Sequence, residues 1–246
     1  KPFRLGVLCM NHEGYHSLSV LLTKAFLTNN DAARGLVDPK WFDDGGSEGL
    51  IALSGAAQGE LGSLLLGKKW ALAHEAAERF KAQFPGRFYV ELQRAGRPTD
   101  ELATARLANF AVEEQLPVVA THPIQFLKPE DFEAHEVRCS IAEGYTLQDP
   151  RRVKRYTPEQ YLKSEAEMCE LFADIPVAIE NTVEIAKRCN LDGVLSKPQL
   201  PLFPTPDGMS LDDYIDQLSK EGLQKRLEFL YPDPKVLEEK RPPYDK

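Results

Sequence analysis

Three side chains near the amino terminus have the types and spacing that bind zinc in one class of peptidase. The stretch His12-Glu13-Gly14-Tyr15-His16 fits the pattern in which two histidines one helical turn apart bind Zn²⁺ and the glutamate activates water. Asn11 is a typical N-cap residue, so we predict that His12 begins a helix instead of lying within one. The sequence places no third ligand nearby. We therefore interpret these residues as a solvent-facing helix start, with the peptidase site as an alternative.

A second candidate is a carboxylate inside an apolar run. Glu91 lies in Phe88-Tyr89-Val90-Glu91-Leu92, which predicts a buried strand. A buried carboxylate must be paired or must bind a metal ion. Arg94 and Arg97 are close in sequence, and we favour an ion pair with one of them over a metal-ligand role.

A third candidate follows the last apolar run, in Thr121-His122-Pro123-Ile124-Gln125. Sites in parallel α/β folds form where strands end, so His122 is well placed for function. A lone histidine is nevertheless more often a hydrogen-bonded structural residue. We expect His135 to face a neighbouring element from a helix. No phosphate-binding loop, dinucleotide-binding glycine pattern or nucleophile elbow is found in the sequence.

These residues require strands to position them, and four apolar runs predict such strands. The runs lack strict alternation, as is typical of parallel strands covered on both faces. Amphipathic helical patterns separate them, which predicts a parallel α/β fold, and we favour a complete or partial barrel over a doubly wound sheet. The predicted strands are Leu5–Met10, Leu50–Ser54, Phe88–Leu92 and Pro117–Thr121.

After Thr121 the pattern becomes helical. The predicted helices are Glu130–Ala142, Pro158–Lys163, Glu165–Phe172 and Ile175–Cys189. In the last of these, Asp174 is the expected cap and Pro176 fits the first turn. A proline-rich linker follows over residues 197–208. Ser210 then caps an amphipathic helix, in which Gly222 is a possible break.

Composition narrows the function classes. The 246 residues carry 30 Lys and Arg against 38 Asp and Glu, a formal net charge of −8. An acidic chain is not by itself a nucleic-acid binder, and we interpret the basic run Arg151–Arg155 as a solvated loop. Membrane-length apolar runs and a signal peptide are absent from the sequence, so we expect a cytoplasmic protein that does not contact membranes. We predict that the four dispersed cysteines Cys9, Cys139, Cys169 and Cys189 are buried free thiols.

Several longer stretches resemble the alpha subunit of bacterial DNA polymerase III. The resemblance runs in one order along essentially the whole chain, which makes it far more specific than a short motif. It rests on residues 8–15 (LCMNHEGY), 49–55 (GLIALSG), 91–98 (ELQRAGRP), 164–176 (SEAEMCELFADIP), 180–190 (ENTVEIAKRCN), 200–206 (LPLFPTP) and 241–245 (RPPYD).

This resemblance implies a PHP domain, a distorted β/α barrel related to metal-dependent phosphoesterases. By resemblance the domain spans residues 1–194 without its N-terminal segment, and residues 195–246 are a linker and helical approach to the polymerase palm. The parent chain would be a DNA-directed DNA polymerase that uses Mg²⁺, binds DNA and holds the proofreading exonuclease subunit of the replicase. The catalytic carboxylates of the palm lie outside this chain, so no catalytic residue and no cofactor are expected within it.

The chain departs from the metal-binding pattern of the family at four positions, Arg4, Ala56, Pro123 and Gln125. By resemblance, His, Cys, Asp and His stand there in metal-binding members. Arginine is cationic, alanine and proline side chains offer no lone pair, and glutamine is a weak ligand. We therefore expect a degenerate, metal-free PHP scaffold.

Only Glu91 and His122 remain as residual ligand candidates. The alternative is an active metal-dependent phosphoesterase or 3′–5′ proofreading nuclease that uses Glu91, His122 and His135.

Overall fold

The computed structural model describes residues 2–31, 34–43, 45–193 and 201–244. The chain divides into two compact units, Lys1–Val194 and Leu195–Lys246. The predicted domain boundary between residues 194 and 195 lies outside the described residues, as does the start of the proline-rich linker at Lys197-Pro198. The assignment of the two domains therefore stays a prediction.

The first unit contains a four-stranded sheet, and its strands are the four that the apolar runs predict. Their order across the sheet is β1-β4-β5-β6. The short strands β2 (Asn30–Asp31) and β3 (Arg34–Gly35) form a separate hairpin. The sheet strands are β1 (Gly6–Cys9), β4 (Leu50–Leu53), β5 (Phe88–Gln93) and β6 (Val118–Thr121).

The prediction that all four strands are parallel is wrong for β1. Strands β4, β5 and β6 are parallel to each other, whereas β1 pairs antiparallel with β4, with Gly6 opposite Leu53 and Cys9 opposite Leu50. The chain that follows the first helix returns to the end of β1, where Met10 N–H donates to Gly49 O at 2.8 Å. It therefore enters β4 in the opposite direction. An apolar run indicates that a strand is buried but carries no information about its direction.

Helices lie along the sheet as the predicted α/β class requires, and that class is confirmed. The connection from β4 to β5 and the connection from β5 to β6 each contain helices, and each joins two parallel strands that are neighbours in the sheet. The helices of the first unit are α1 (His12–Thr28), α2 (Glu60–Leu66), α3 (Trp70–Gln83), α4 (Asp100–Glu113), α5 (Phe132–Glu143), α6 (Glu165–Leu171) and α7 (Pro176–Arg188). Together with the sheet they are consistent with an incomplete α/β barrel.

Burial explains why these strands read as continuous apolar runs. All four residues of β4 and the first five of β5 are buried. One face of the sheet packs with α2, α3 and α4 in the main hydrophobic core, and a smaller cluster around Ile51, Tyr89 and Ile185 covers the other. Burial of one large apolar side chain contributes about 1.5–3 kcal/mol, so this core holds the strand ends in place.

The predicted helix Pro158–Lys163 is wrong. Its residues form a turn and then an extended segment, in which Tyr161 bridges Phe126 in parallel. Leu162 N–H donates to Phe126 O at 3.0 Å, and Gln125 N–H donates to Gln160 O at 2.8 Å. These long-range backbone hydrogen bonds replace the local ones that a helix would form.

The start of α7 differs from the prediction in one residue. Pro176 occupies the first turn as expected, but the residue before it, Ile175, holds the cap position without a side-chain hydrogen bond. Asp174 is not the cap, because its carboxylate pairs with Arg94 at 2.6 and 2.8 Å. A cation on a neighbouring loop competes successfully for the carboxylate.

The second unit contains α8 (Leu211–Leu230) and α9 (Pro234–Lys240). Ser210 caps α8 as predicted, since its Oγ accepts from Asp213 N–H at 3.1 Å. The possible break at Gly222 does not occur, and α8 is continuous for 20 residues. A single glycine costs a helix only about 1 kcal/mol, which the rest of a long helix offsets. None of the described helices is both long and apolar enough to cross a membrane.

Candidate functional site at the strand ends

The parallel pairing of β5 and β6 brings three polar side chains to one edge of the sheet. Glu91 lies opposite Val119 and Gln93 lies opposite Thr121. Residues two apart on a strand project from the same face, so Glu91 and Gln93 point the same way at the end of β5. Thr121, the last residue of β6, completes the group.

Three neutral donors hold the Glu91 carboxylate. Gln93 Nε2 donates to Oε1 at 2.9 Å, Thr121 Oγ1 donates to the same oxygen, and Gly55 N–H donates to Oε2 at 3.0 Å. Glu91 N–H in turn donates to Ser54 Oγ at 2.9 Å. The residue is only 8% exposed. Hydrogen bonds to a charged group contribute about 1.5–3 kcal/mol each, so this network offsets much of the cost of burying the carboxylate.

The predicted ion pair between Glu91 and a nearby arginine is wrong. Arg94 donates to Asp174 and to Leu171 O. Arg97 Nε donates to Asp100 at 2.9 Å. Both arginines follow the end of β5, in the loop before α4, and there they bind partners on other segments. Within the part of the chain that the structure describes, no cationic nitrogen lies within 4.0 Å of the Glu91 carboxylate.

The loop after β4 has an unusual backbone that delivers the Gly55 N–H to Glu91. Gly55 has φ of +80° and Ala56 has φ of +47°, so both are left-handed. A Cβ on Gly55 would lie 2.2 Å from Arg4 O, and only glycine fits there. Left-handed backbone at a non-glycine residue costs energy that surrounding contacts must offset, and such strain clusters at functional sites.

A cavity of about 770 Å³ opens beside this network in the first unit. Its walls are mostly apolar and include Leu5 just before β1, Val7 in β1 and Leu21 in α1. The charged and amide residues on its wall are Arg4, Gln58, Glu60, Glu91, Gln93 and Arg97.

His122 is close in sequence to Thr121 but uses its ring for structure. Its Nε2 donates to Glu159 O at 2.7 Å. Burial lowers the pKa of His122 below its usual value, which favours the neutral ring. Its buried Nδ1 has no hydrogen-bond partner among the described residues. His122 is not part of the Glu91 network.

Two of the four substituted positions line the cavity with Glu91. Arg4 is exposed and Pro123 lines the cavity with it. Pro123 O accepts from Gln160 Nε2 at 2.9 Å, and Ala56 is buried. Gln125 is exposed and its backbone N–H pairs with Gln160.

This set of side chains does not fit a cluster of divalent ions. Glu91 already accepts three hydrogen bonds, and the positions around it supply a guanidinium, a methyl group and a pyrrolidine ring. Among the described residues, no group of three or more His, Cys, Asp and Glu side chains is arranged to hold a metal ion. A divalent cation needs three or more good donors in one place.

The other histidine candidates lie elsewhere. His12 is the first residue of α1, Asn11 caps it through Gly14 N–H at 3.0 Å, and both His12 and His16 are exposed. The predicted helix start is therefore confirmed. His135 is buried on α5, as predicted, where Nδ1 contacts Arg138 at 3.2 Å and Nε2 contacts Cys139 at 3.5 Å. Both of its nitrogens are engaged away from Glu91.

The basic run is only partly the solvated loop that the sequence predicts. Arg151 and Arg155 are exposed, and they pair with Asp149 and Glu143. Arg152 is buried instead, with its Nη2 2.6 Å from Glu136 Oε2. Each of these three arginines thus has an acidic partner.

All four cysteines are free, as predicted, but not all are buried. Cys169 is exposed and the other three are partly exposed. Burial raises the pKa of both Cys9 and Cys189, so these two thiols stay protonated and unreactive near neutral pH.

Sequence reasoning found Glu91 but missed the residues that hold it. Gly55 and Thr121 are 36 and 30 residues away along the chain. One feature of the sequence indicates this contact: Gln93 and Thr121 each stand at the end of an apolar run. The ends of parallel strands meet at one edge of the sheet, so such residues are expected to be close.

Comparison with known proteins gives consistent matches. Residues 1–95 match the PHP domain family. The chain is 47% identical to the DNA polymerase III subunit alpha of Vibrio cholerae over 98% of its length, and 48% identical to that of Neisseria meningitidis over 99%. It is 48% identical to the Pseudomonas aeruginosa protein of the same name over 93%. The matches cover 21%, 22% and 19% of those proteins, so the chain spans about a fifth of their length.

Proposed function

Because this chain is homologous to one segment of the bacterial DNA polymerase III alpha subunit and begins with PHP-domain sequence, we propose that it serves in chromosome replication as part of a DNA-directed DNA polymerase. Within that protein its role is that of a metal-free PHP scaffold. The polymerisation chemistry, its Mg²⁺ and the contacts to DNA belong to parts of the protein outside this chain. The protein acts in the cytoplasm, where the chromosome is replicated.

The observation that carries the scaffold role is the state of Glu91. Its carboxylate accepts hydrogen bonds from Gly55, Gln93 and Thr121, so it links β5, β6 and the loop after β4. A residue that would bind metal in an active site here connects secondary-structure elements. The substituted positions Arg4, Ala56, Pro123 and Gln125 remove the remaining donors.

A scaffold of this kind has an assembly role. By family resemblance its partner is the proofreading exonuclease subunit of the replicase. The test is the affinity of that purified subunit for the full-length protein and for a version that lacks residues 1–194. The proposal predicts that the deletion abolishes binding while a 3′-end extension assay still detects polymerisation. Unchanged affinity would show that the exonuclease binds elsewhere.

The second candidate function is metal-dependent phosphoester hydrolysis. One observation favours it, the unpartnered Nδ1 of His122 close to the strand ends. The test is hydrolysis of a phosphomonoester and of 3′-labelled single-stranded DNA by the full-length protein with added Mn²⁺ or Zn²⁺. We expect the unmodified protein to show no more hydrolysis than the His122→Ala variant. Hydrolysis that His122→Ala abolishes, and that the exposed control His16→Ala retains, would favour the nuclease.

A further inference from the structure

The cavity beside β1 contains a charge imbalance that the network around Glu91 does not remove. All three donors to Glu91 are neutral. Hydrogen bonds satisfy the oxygen lone pairs, but a buried carboxylate is still expensive when no cation lies near it. A divalent ion would supply that positive charge in a metal site, and the donors for such an ion are missing here.

The other charged residues on the cavity wall are almost all paired. Glu60 pairs with Arg79. Arg97 donates to Asp100 through Nε and to Gln93 Oε1 through Nη2 at 2.9 Å. Each of these groups is therefore already committed to a partner.

Arg4 is the exception among the cavity-lining charges that the structure describes. Its side chain is exposed, and no ion pair or side-chain hydrogen bond to it is found within the described ranges. Its backbone is bonded to the segment after β4, because Arg4 N–H donates to Gln58 O at 3.2 Å. Arg4 O lies against Gly55, whose N–H binds Glu91.

We propose that the Arg4 guanidinium is the counter-ion of the Glu91 carboxylate and takes the electrostatic place of a metal ion in this cavity. The proposal rests on the proposed function, since it requires a metal-free site. Arg4 and Glu91 both line this cavity, and in the proposed pair the Arg4 side chain turns from solvent towards Glu91. A guanidinium suits this task because it is always charged, is weakly hydrated and can bind a carboxylate with two parallel hydrogen bonds.

The proposal gives Arg4 a positioning role. By neutralising Glu91, Arg4 stabilises the carboxylate in the orientation that accepts the Gly55 N–H, and so holds the left-handed turn at Gly55 and Ala56. The amide of Gly55 is a direct reporter of this turn, because its hydrogen exchange requires the bond to Glu91 to open.

The test is hydrogen–deuterium exchange of the peptide that contains Gly55, in the full-length protein. We expect Arg4→Gln to speed exchange there about two- to five-fold, the effect of losing one partly exposed ion pair. Arg4→Lys keeps the charge and should keep most of the protection. Arg151→Gln, at an exposed arginine that does not line the cavity, should change nothing.

A double-mutant comparison isolates the pair. In a Glu91→Gln background, adding Arg4→Gln should have no further effect, because the charge that Arg4 neutralises is gone. The proposal is overturned if Arg4→Gln leaves exchange at Gly55 unchanged, or if it accelerates exchange equally in both backgrounds.

Should Arg4→Gln not fold, the unmodified protein is compared at low salt and at about 1 M salt, where screening is nearly complete. Faster exchange at high salt supports the pair, and an unchanged rate overturns it.

Metal content, measured on the same samples, separates this proposal from the proposed function. A metal-free protein without coupling between Arg4 and Glu91 would refute only the counter-ion. A protein that holds near-stoichiometric metal through dialysis would refute the scaffold as well, whatever the exchange data show.

Discussion

At the scale of residues, the structure shows two ways of burying a carboxylate. Glu91 is surrounded by neutral donors at the edge of a cavity, whereas Glu136 is paired directly with Arg152. The side chains of Glu136 and Arg152 are 7% and 3% exposed. Each charge in such a pair depends on the other, because neither has access to water.

Replacement of Arg152 should therefore be costly. We expect Arg152→Met to lower the free energy of unfolding of the first unit by about 3–5 kcal/mol, since Glu136 is left buried without its cation. The double variant Arg152→Met/Glu136→Leu should recover much of the loss. Urea denaturation measures both. Arg151→Met, at the exposed neighbour, is the control and should have little effect, and an equal loss in the control would refute the argument.

The residue types revealed which side chain was important but not what it binds. Glu91 stood out because a carboxylate inside an apolar run is anomalous. Arg94 and Arg97 were the nearest cations in sequence, yet each has a closer partner in the fold. Two of the donors to Glu91, Gly55 and Thr121, are 36 and 30 residues away along the chain, and no local pattern records such a contact.

At the scale of elements, close approach of backbones decides several positions. Gly14 in α1 lies against Gly49, just before β4, and a Cβ on Gly14 would be 2.0 Å from Gly49 O. Gly222 in α8 has no heavy atom within 4 Å of such a Cβ. A Cβ atom therefore has no room at Gly14, whereas it has open space at Gly222.

These constraints predict opposite effects of the same substitution. Gly14→Ala should destabilise the first unit by about 1–3 kcal/mol, because it forces α1 away from the start of β4. Gly222→Ala should stabilise α8 by up to about 1 kcal/mol, because alanine favours helix and nothing obstructs it. Thermal denaturation of both variants measures the difference. If both lower stability equally, the packing of α1 on β4 is not as described.

The capping box of α6 makes a second prediction, which concerns pH. Tyr161 Oη donates to Glu167, and Ser164 donates to it through N–H and Oγ at 2.7 Å. These hydrogen bonds, that of Tyr161 first, lower the pKa of Glu167 from 4.5 to about 2. A depressed folded-state pKa adds stability above the unfolded value, and that stability is lost as pH falls from about 4.5 towards 2.

Glu167→Gln should reduce the acid sensitivity of the fold. Melting temperatures between pH 6 and pH 3 should converge for the variant and the unmodified protein as the pH falls. Glu165→Gln, at the neighbouring first-turn carboxylate, is the control and should preserve the original pH profile. A Glu167→Gln profile parallel to that of the unmodified protein would mean that the capping box does not hold this carboxylate ionised.

Hydrophobic patterning predicted the elements better than their arrangement. The four strands and most helices were found because burial dictates apolar runs and helical periodicity. The direction of β1 and the extended segment at Tyr161 were missed, because both depend on hydrogen bonds with distant backbone, to Gly49 and to Phe126. The short helix α2 was not predicted either, because no side chain caps its start, whereas the equally short α6 begins with the Ser164 capping box.

At the scale of the whole molecule, we propose that this domain has the PHP architecture without the donors that would bind metal ions. The chain matches the alpha subunit over nearly all its length, and its first 95 residues match the PHP domain. The ends of β5 and β6 meet at Glu91, and in the proposed scaffold the other donors of a metal site are replaced. Retention of the fold without the site is expected when the domain serves assembly instead of hydrolysis.

The central claim is that no metal ion occupies the strand-end site of the working protein, and metal content tests it most directly. The full-length protein, purified without chelators and dialysed against metal-free buffer, is analysed by inductively coupled plasma mass spectrometry. The account predicts zinc and manganese far below one ion per polypeptide, with no change in His122→Ala. Near-stoichiometric zinc or manganese that survives dialysis and disappears in His122→Ala would contradict it.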